Sequence, residues 1–201
     1  MAHGQGMRKN RPRRTLARRI LVVTEGAKTE QQYLDGLNQY LRSQGATAVV
    51  KSAGMGRDPL KVVQKCIELR DDAESKDKRY DYYVCLVDVD EHATLERAIE
   101  LAHQKRITLL ISNLKFEVWL RWHAEDKRSA LTSTQLDQCV KSLGLTDGKK
   151  LSNNFPYSKV YEACAVARAV DPEMQAGGQG PNPSSAMPIL VELLEGKKAR
   201  T

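Results

Sequence analysis

Three carboxylates recur at one kind of position in this chain of 201 residues. Glu25 directly follows the apolar run Ile20-Leu21-Val22-Val23-Thr24, and Asp88 and Asp90 close a second run as Leu86-Val87-Asp88-Val89-Asp90. A strand turns alternate side chains to opposite faces, so Asp88 and Asp90 are expected to point the same way with Val89 turned away. Were the two strands neighbours, about 5 Å apart across the ladder, the three acids would converge on one pocket. Converging anions repel, and hard oxygen ligands without His or Cys select Mg²⁺ or Mn²⁺, ions that keep water and take substrate phosphate. Strand-end acids also serve as helix caps and turn formers. An Asp-x-Asp alone reads either way, but with Glu-Gly after another strand of the same sheet the metal reading is preferred.

The neighbouring residues suit a phosphate. Gly26 allows a tight turn and close backbone approach, and the helix start behind it presents free N–H groups. The run Glu25-Gly26-Ala27-Lys28-Thr29-Glu30 lacks the length and second glycine of a Walker A loop. Lys28 and Arg57 could hold phosphate oxygens or simply be solvated. Thr29 reads as a helix cap and Glu30 as an acid matched to the helix dipole. A second cluster, Ser112-Asn113-Leu114-Lys115-Phe116-Glu117, places Asn113 and Glu117 four apart, on one face of a helix starting there. Glu117 is a further candidate metal ligand, or a dipole-matched helix acid, and Asn113 a group to hold it or the substrate. His92 and His123 could each contact phosphate or be ordinary satisfied histidines.

The elements that must position these residues alternate. Strands are predicted at Ile20–Thr24, Ala46–Lys51, Tyr82–Val87 and Ile107–Ile111, with helices between them near Thr29–Leu41, from Pro59 to about Ala73, and Thr94–Gln104. Near-continuous apolar strands alternating with helices indicate a parallel sheet covered on both faces. Its carboxyl edge is where such sheets bind ligands. The last ninety residues read as mainly helical, over Phe116–His123, Thr134–Leu143, Ser158–Val170 and Met187–Leu194, with a Gly/Pro-rich loop at Gly177–Pro183. The fold expected is α/β, a mostly parallel four-stranded sheet flanked by helices with a helical C-terminal portion.

Charge is unevenly placed. The first 20 residues hold seven basic side chains and no acid, leaving 25 Lys and Arg against 25 Asp and Glu in the rest. Residues 1–18 are read as a basic arm and 19–201 as one domain. An arm carrying Arg11, Arg13, Arg14, Arg18 and Arg19 suits a polyanion, although a solvated tail reads the same way. No apolar run reaches the length of a membrane span, and Ile20–Val23 is too short for the core of a secretory signal. Four scattered cysteines show no Cys-x-x-Cys pairing, so neither a zinc knuckle nor a disulfide framework is expected, and a reducing cytoplasm is the simplest compartment.

The Glu-Gly after the first strand and the Asp-x-Asp after the third resemble the Toprim fold of topoisomerases, primases and overcoming-lysogenization-defect nucleases. More closely, the ordered set Glu25-Gly26-x-x-Thr29-Glu30, Asp88-Val89-Asp90-Glu91-His92, Ser112-Asn113-x-x-Phe116-Glu117-x-Trp119-Leu120 and Asn182-Pro183-Ser184-Ser185 resembles the RloB-like family. The resemblance spans almost the whole chain. It implies a Toprim-like effector encoded beside an ATPase, often in restriction-modification or other anti-phage loci. It also implies Glu25 as general acid/base and Asp88 and Asp90 as Mg²⁺ ligands. The usual family pattern has proline after Ser-Asn where this chain has Leu114.

Topoisomerase and primase activities are not expected, because there is no room for a tyrosine-bearing domain and no zinc-binding cysteine pattern. No ATPase motif is present, so any ATP dependence would come from a partner chain. The function expected is a Mg²⁺-dependent nuclease acting on RNA or DNA. The rival is a non-catalytic nucleic-acid- or ligand-binding subunit of an ATPase-containing complex.

Overall fold

In the computed structural model, which describes residues 17–54, 58–89 and 93–197, seven strands and seven helices follow one another. The first half alternates as β1 (Arg19–Thr24), α1 (Thr29–Ser43), β2 (Val49–Gly54), α2 (Pro59–Ser75), β3 (Tyr82–Asp88), α3 (Leu95–Lys105) and β4 (Thr108–Asn113). The second half runs α4 (Glu117–Arg121), α5 (Ser133–Ser142), β5 (Thr146–Asp147), β6 (Lys150–Leu151), α6 (Val160–Val170), β7 (Ser184–Ser185) and α7 (Met187–Leu194). A short 3₁₀ turn, Tyr157–Lys159, leads into α6.

Alternation along the central strands sorts their apolar residues into two cores. Ile20, Val22, Val84, Leu86 and Leu110 face one side, packing with Tyr33, Leu34 and Leu37 of α1 and with the helices of the second half. Leu21, Val23, Cys85, Val87, Leu109 and Ile111 face the other, against Val62, Val63 and Cys66 of α2 and Ala98 and Ala102 of α3. Strands apolar on both faces are stable only when covered on both, so the result is three layers, helices over sheet over helices.

The sheet has the order β2-β1-β3-β4-β7, with β7 antiparallel and the other four parallel. The chain leaves β1 outward to β2, then crosses back to β3 on the other side. The strand order therefore reverses between β1 and β3, and in open α/β sheets the crevice at the carboxyl end of such a reversal is where ligands bind.

The sheet thus has five strands where four were expected. The fifth is the two-residue segment Ser184–Ser185, laid against Ser112 and Asn113 and tied by the Ser112 and Ser185 hydroxyls, 3.0 Å apart in the interior. The Asn113–Leu114 and Asn182–Pro183 peptides beside this pairing are both cis. β2 begins three residues later than expected, because Ala46 N–H bonds back to Leu41 O (2.9 Å) and closes α1 instead of entering the strand. Asp58 caps α2 as expected, its carboxylate accepting from Leu60 N–H at 2.9 Å, with Pro59 at the first helical position.

Arg18 and Arg19 do not extend as an arm. Arg19 opens β1, its guanidinium donating to Arg79 O (2.8 Å) and lying 4.7 Å from the Tyr80 ring centroid, while Arg18 donates to Lys197 O at 3.2 Å. Arg11, Arg13 and Arg14 lie outside the described residues. Among the described residues no helix is long and apolar enough to cross a membrane.

Candidate functional site

The reversal between β1 and β3 brings Glu25 beside Asp88. Thr24 pairs with Leu86 in the parallel ladder, and Glu25 extends it by one rung, its N–H donating to Leu86 O at 3.1 Å. The Glu25 carboxylate then crosses the strand end, where Oε2 accepts from Asp88 N–H at 3.3 Å. Buried Thr24 fixes the turn that follows by donating its hydroxyl to Gly26 O (2.6 Å).

Gly26 leaves room for what lies over it. A Cβ at this position would fall on the carboxylate of Glu30, which folds back from the first turn of α1. The Gly26 backbone N–H hydrogen-bonds that carboxylate. Glu30 is thus half-buried beside Glu25 and not displayed to solvent as a dipole-matched acid. Burial and the charge of Glu25 together hold its carboxyl above the ordinary range.

Asp88 carries the largest perturbation of the group. Burial, then the charges of Glu117, Glu25 and Glu30, push its carboxyl well above the usual value, and a hydrogen bond from Phe116 N–H only partly opposes them. Glu117, the first residue of α4, is raised by burial; Lys115 pulls the other way, and Asp137 and Glu30 add to the rise. Four carboxylates from three segments therefore act on one another. Lys115 is a cation acting on Glu117; its Nζ is held by Asp137 at 2.5 Å and its side chain is 12% exposed.

A family model for RloB-like proteins matches residues 20–194. The chain belongs to the RloB-like family. No curated protein resembles it closely enough to match. The segments that carry the family resemblance meet at one sheet edge: Glu25 to Glu30 after β1, Asp88 ending β3, Ser112 to Leu120 from β4 into α4, and Ser184–Ser185 as the strand beside β4.

The other expected residues of this RloB-like chain are placed as follows. Asp90, His92 and Arg57 lie outside the described residues. Lys28 precedes α1 and is exposed, without an acidic partner among the described residues. Thr29 does not cap the helix: its hydroxyl donates to Lys149 O, 3.0 Å away on the β5–β6 hairpin. Asn113 and Glu117 do not share a helix face, because Asn113 ends β4 and α4 starts only at Glu117. The Asn113 amide donates to Gly180 O (3.0 Å) and so ties β4 to the Gly/Pro-rich loop.

His123 is remote from phosphate chemistry. It is buried among Tyr33, Trp119 and Phe155, with Nδ1 3.1 Å from Trp119 O and Nε2 3.2 Å from the Tyr33 hydroxyl. A carbonyl can only accept, so Nδ1 carries the proton and Nε2 accepts from Tyr33. Burial lowers the imidazole to about 4 and keeps it neutral.

The donor set of the RloB-like site fits a hard divalent cation in kind. It is all carboxylate, and burial and mutual repulsion leave charge that an ion would neutralise. Among the described residues, however, no three or more His, Cys, Asp or Glu side chains are grouped so that they could hold a metal ion.

Proposed function

We propose that this RloB-like protein is a Toprim-like nuclease effector that hydrolyses phosphodiester bonds of RNA or DNA with Mg²⁺ or Mn²⁺. We further propose that it works in anti-phage defence together with an ATPase partner. The observation that carries the enzymatic reading is the meeting of Glu25, Glu30, Asp88 and Glu117 at the strand-order reversal, with the carboxyl groups of Glu30, Asp88 and Glu117 driven toward their neutral forms by burial and by neighbouring acids. Such perturbation in a cleft is characteristic of sites that handle protons or bind ions.

In this reading Asp88 would hold the cation, with Asp90, Glu117 and Glu25 as its further candidate ligands. A divalent ion bound there supplies positive charge for the phosphate and lowers the pKa of a bound water. Glu25, anchored across the end of β3, takes a proton from the attacking water or delivers one to the leaving oxygen. Gly26, covered by the Glu30 carboxylate in this structure, would meet the substrate once Glu30 turns away, and Lys28, Arg57, His92 and Asn113 are assigned to the flanking groups of the substrate.

The test incubates the purified chain with labelled total RNA and plasmid DNA in Mg²⁺, Mn²⁺ or EDTA, beside Glu25→Gln protein. Metal-dependent cleavage that disappears in the variant supports the nuclease and identifies its substrate class. Equal cleavage by the variant refutes the role of Glu25. Silence both alone and with a co-expressed ATPase partner favours the non-catalytic binding subunit.

A further inference from the structure

A nucleic acid entering an acidic crevice is repelled by it. An ion in the crevice offsets that repulsion at one phosphate only, so the flanking phosphates need cations of their own. Lys115 is committed to Asp137. The β5–β6 hairpin, which carries Lys149 and Lys150, is fastened to the first turn of α1, the turn that holds Glu30. Thr29 donates to Lys149 O at 3.0 Å, and Leu151 N–H donates to Gln32 Oε1 at 2.9 Å. Buried Leu151 anchors one end of this hairpin, and Thr146 and Leu151 pair across it. Gly148, at φ +59°, turns the tip so that Lys149 and Lys150 are exposed. Neither forms an ion pair among the described residues, and nor does Lys28. Asp147 is the single acid on the hairpin.

Three consecutive residues therefore link two opposite chemistries. Lys28 is exposed, Thr29 is fastened to the lysine hairpin, and Glu30 turns into the acidic cluster. We propose that Lys28, Lys149 and Lys150 form a cationic lip that grips the sugar-phosphate backbone of a nucleic acid beside the acidic crevice. The lip rests on the proposed nuclease reading for what lies in the crevice, but its own ligand is simply the polyanion. Phosphate contacts of this kind position a strand without reading its sequence.

The experiment measures binding of fluorescently labelled single-stranded and duplex oligonucleotides in EDTA, across a salt series, so that no cleavage is needed. The full-length protein is compared with Lys149→Ala/Lys150→Ala and with Lys149→Arg/Lys150→Arg. Loss of two phosphate contacts should flatten the slope of log affinity against log salt by about 1.4 for single strands and about 1.8 for duplex. The arginine variant should keep the parental slope. An unchanged slope in the alanine variant overturns the lip, as does an equal loss in the arginine variant, which would assign the effect to hairpin structure. Absence of binding by the parent protein overturns it as well. A parent that binds with the expected slope change but never cleaves would keep the lip and remove the nuclease reading.

Discussion

Replacing Asp88 by asparagine should stabilise the metal-free protein. The Asp88 carboxyl is desolvated and faces the charges of Glu117, Glu25 and Glu30, against one backbone donor, Phe116 N–H. Asparagine keeps an oxygen for that donor and removes the charge. Glu30, Asp88 and Glu117 all have folded pKa values above their unfolded ones. The native state therefore holds more protons than the unfolded state above the ordinary carboxylate range, and stability falls as pH rises through that window. Like unit charges about 4 Å apart cost about 1 kcal/mol in water and about 4 kcal/mol at the effective dielectric near a protein surface. Relief of about 2 kcal/mol near neutral pH is a reasonable scale, or roughly 4–8 °C in melting temperature for a domain of this size. Divalent ion should reverse the order, since saturation at about a hundred times Kd stabilises the parent by about 2.7 kcal/mol and a variant lacking a ligand gains less. Thermal melts from acid to neutral pH in EDTA and in Mg²⁺ or Mn²⁺ test both halves. A variant that melts at or below the parent in EDTA would refute the repulsion argument. A parent indifferent to either ion would refute the metal.

Three further outcomes follow from the geometry. Gly26→Ala should cost little stability, about 1 kcal/mol or less, because the atoms nearest the new methyl group are the free end of the Glu30 side chain; it should nevertheless weaken Mn²⁺ affinity measured by calorimetry, and unchanged affinity would place Glu30 outside the ion site. His123, held neutral with a pKa of about 4, contributes stability that is complete above about pH 6.5 and is lost as pH falls toward 4, about 3 kcal/mol in all; an imidazole NMR titration centred near 6.5 would contradict this. Ser185→Ala should cost about 1–3 kcal/mol by leaving the buried Ser112 hydroxyl without its partner, and the double Ser112→Ala/Ser185→Ala variant should recover part of that loss in denaturant melts.

Much of the fold is legible in the sequence because it is written in local patterns. Unbroken apolar runs such as Ile20–Val23 can only be covered on both faces, and Asp58-Pro59 announces a helix start. The same patterns put Glu25 and Asp88 at strand ends, and the structure adds that those strands are neighbours. What local pattern misreads depends on distant partners. Glu30 has the position of an ordinary first-turn acid, and only the turn at Gly26 folds it back into the crevice. Thr29 has the residue type of a cap, yet its hydroxyl is taken by a carbonyl 120 positions away. Ser184–Ser185 has no apolar alternation at all and becomes a strand because β4 offers it an edge. In each case the competing contact comes from the hairpin, the Gly/Pro-rich loop or the turn after β1. The strands place Glu25 and Asp88, but these irregular segments bring Glu30 inward and set the lysines beside it, and they are the parts to mutate when the site is to be changed without disturbing the sheet.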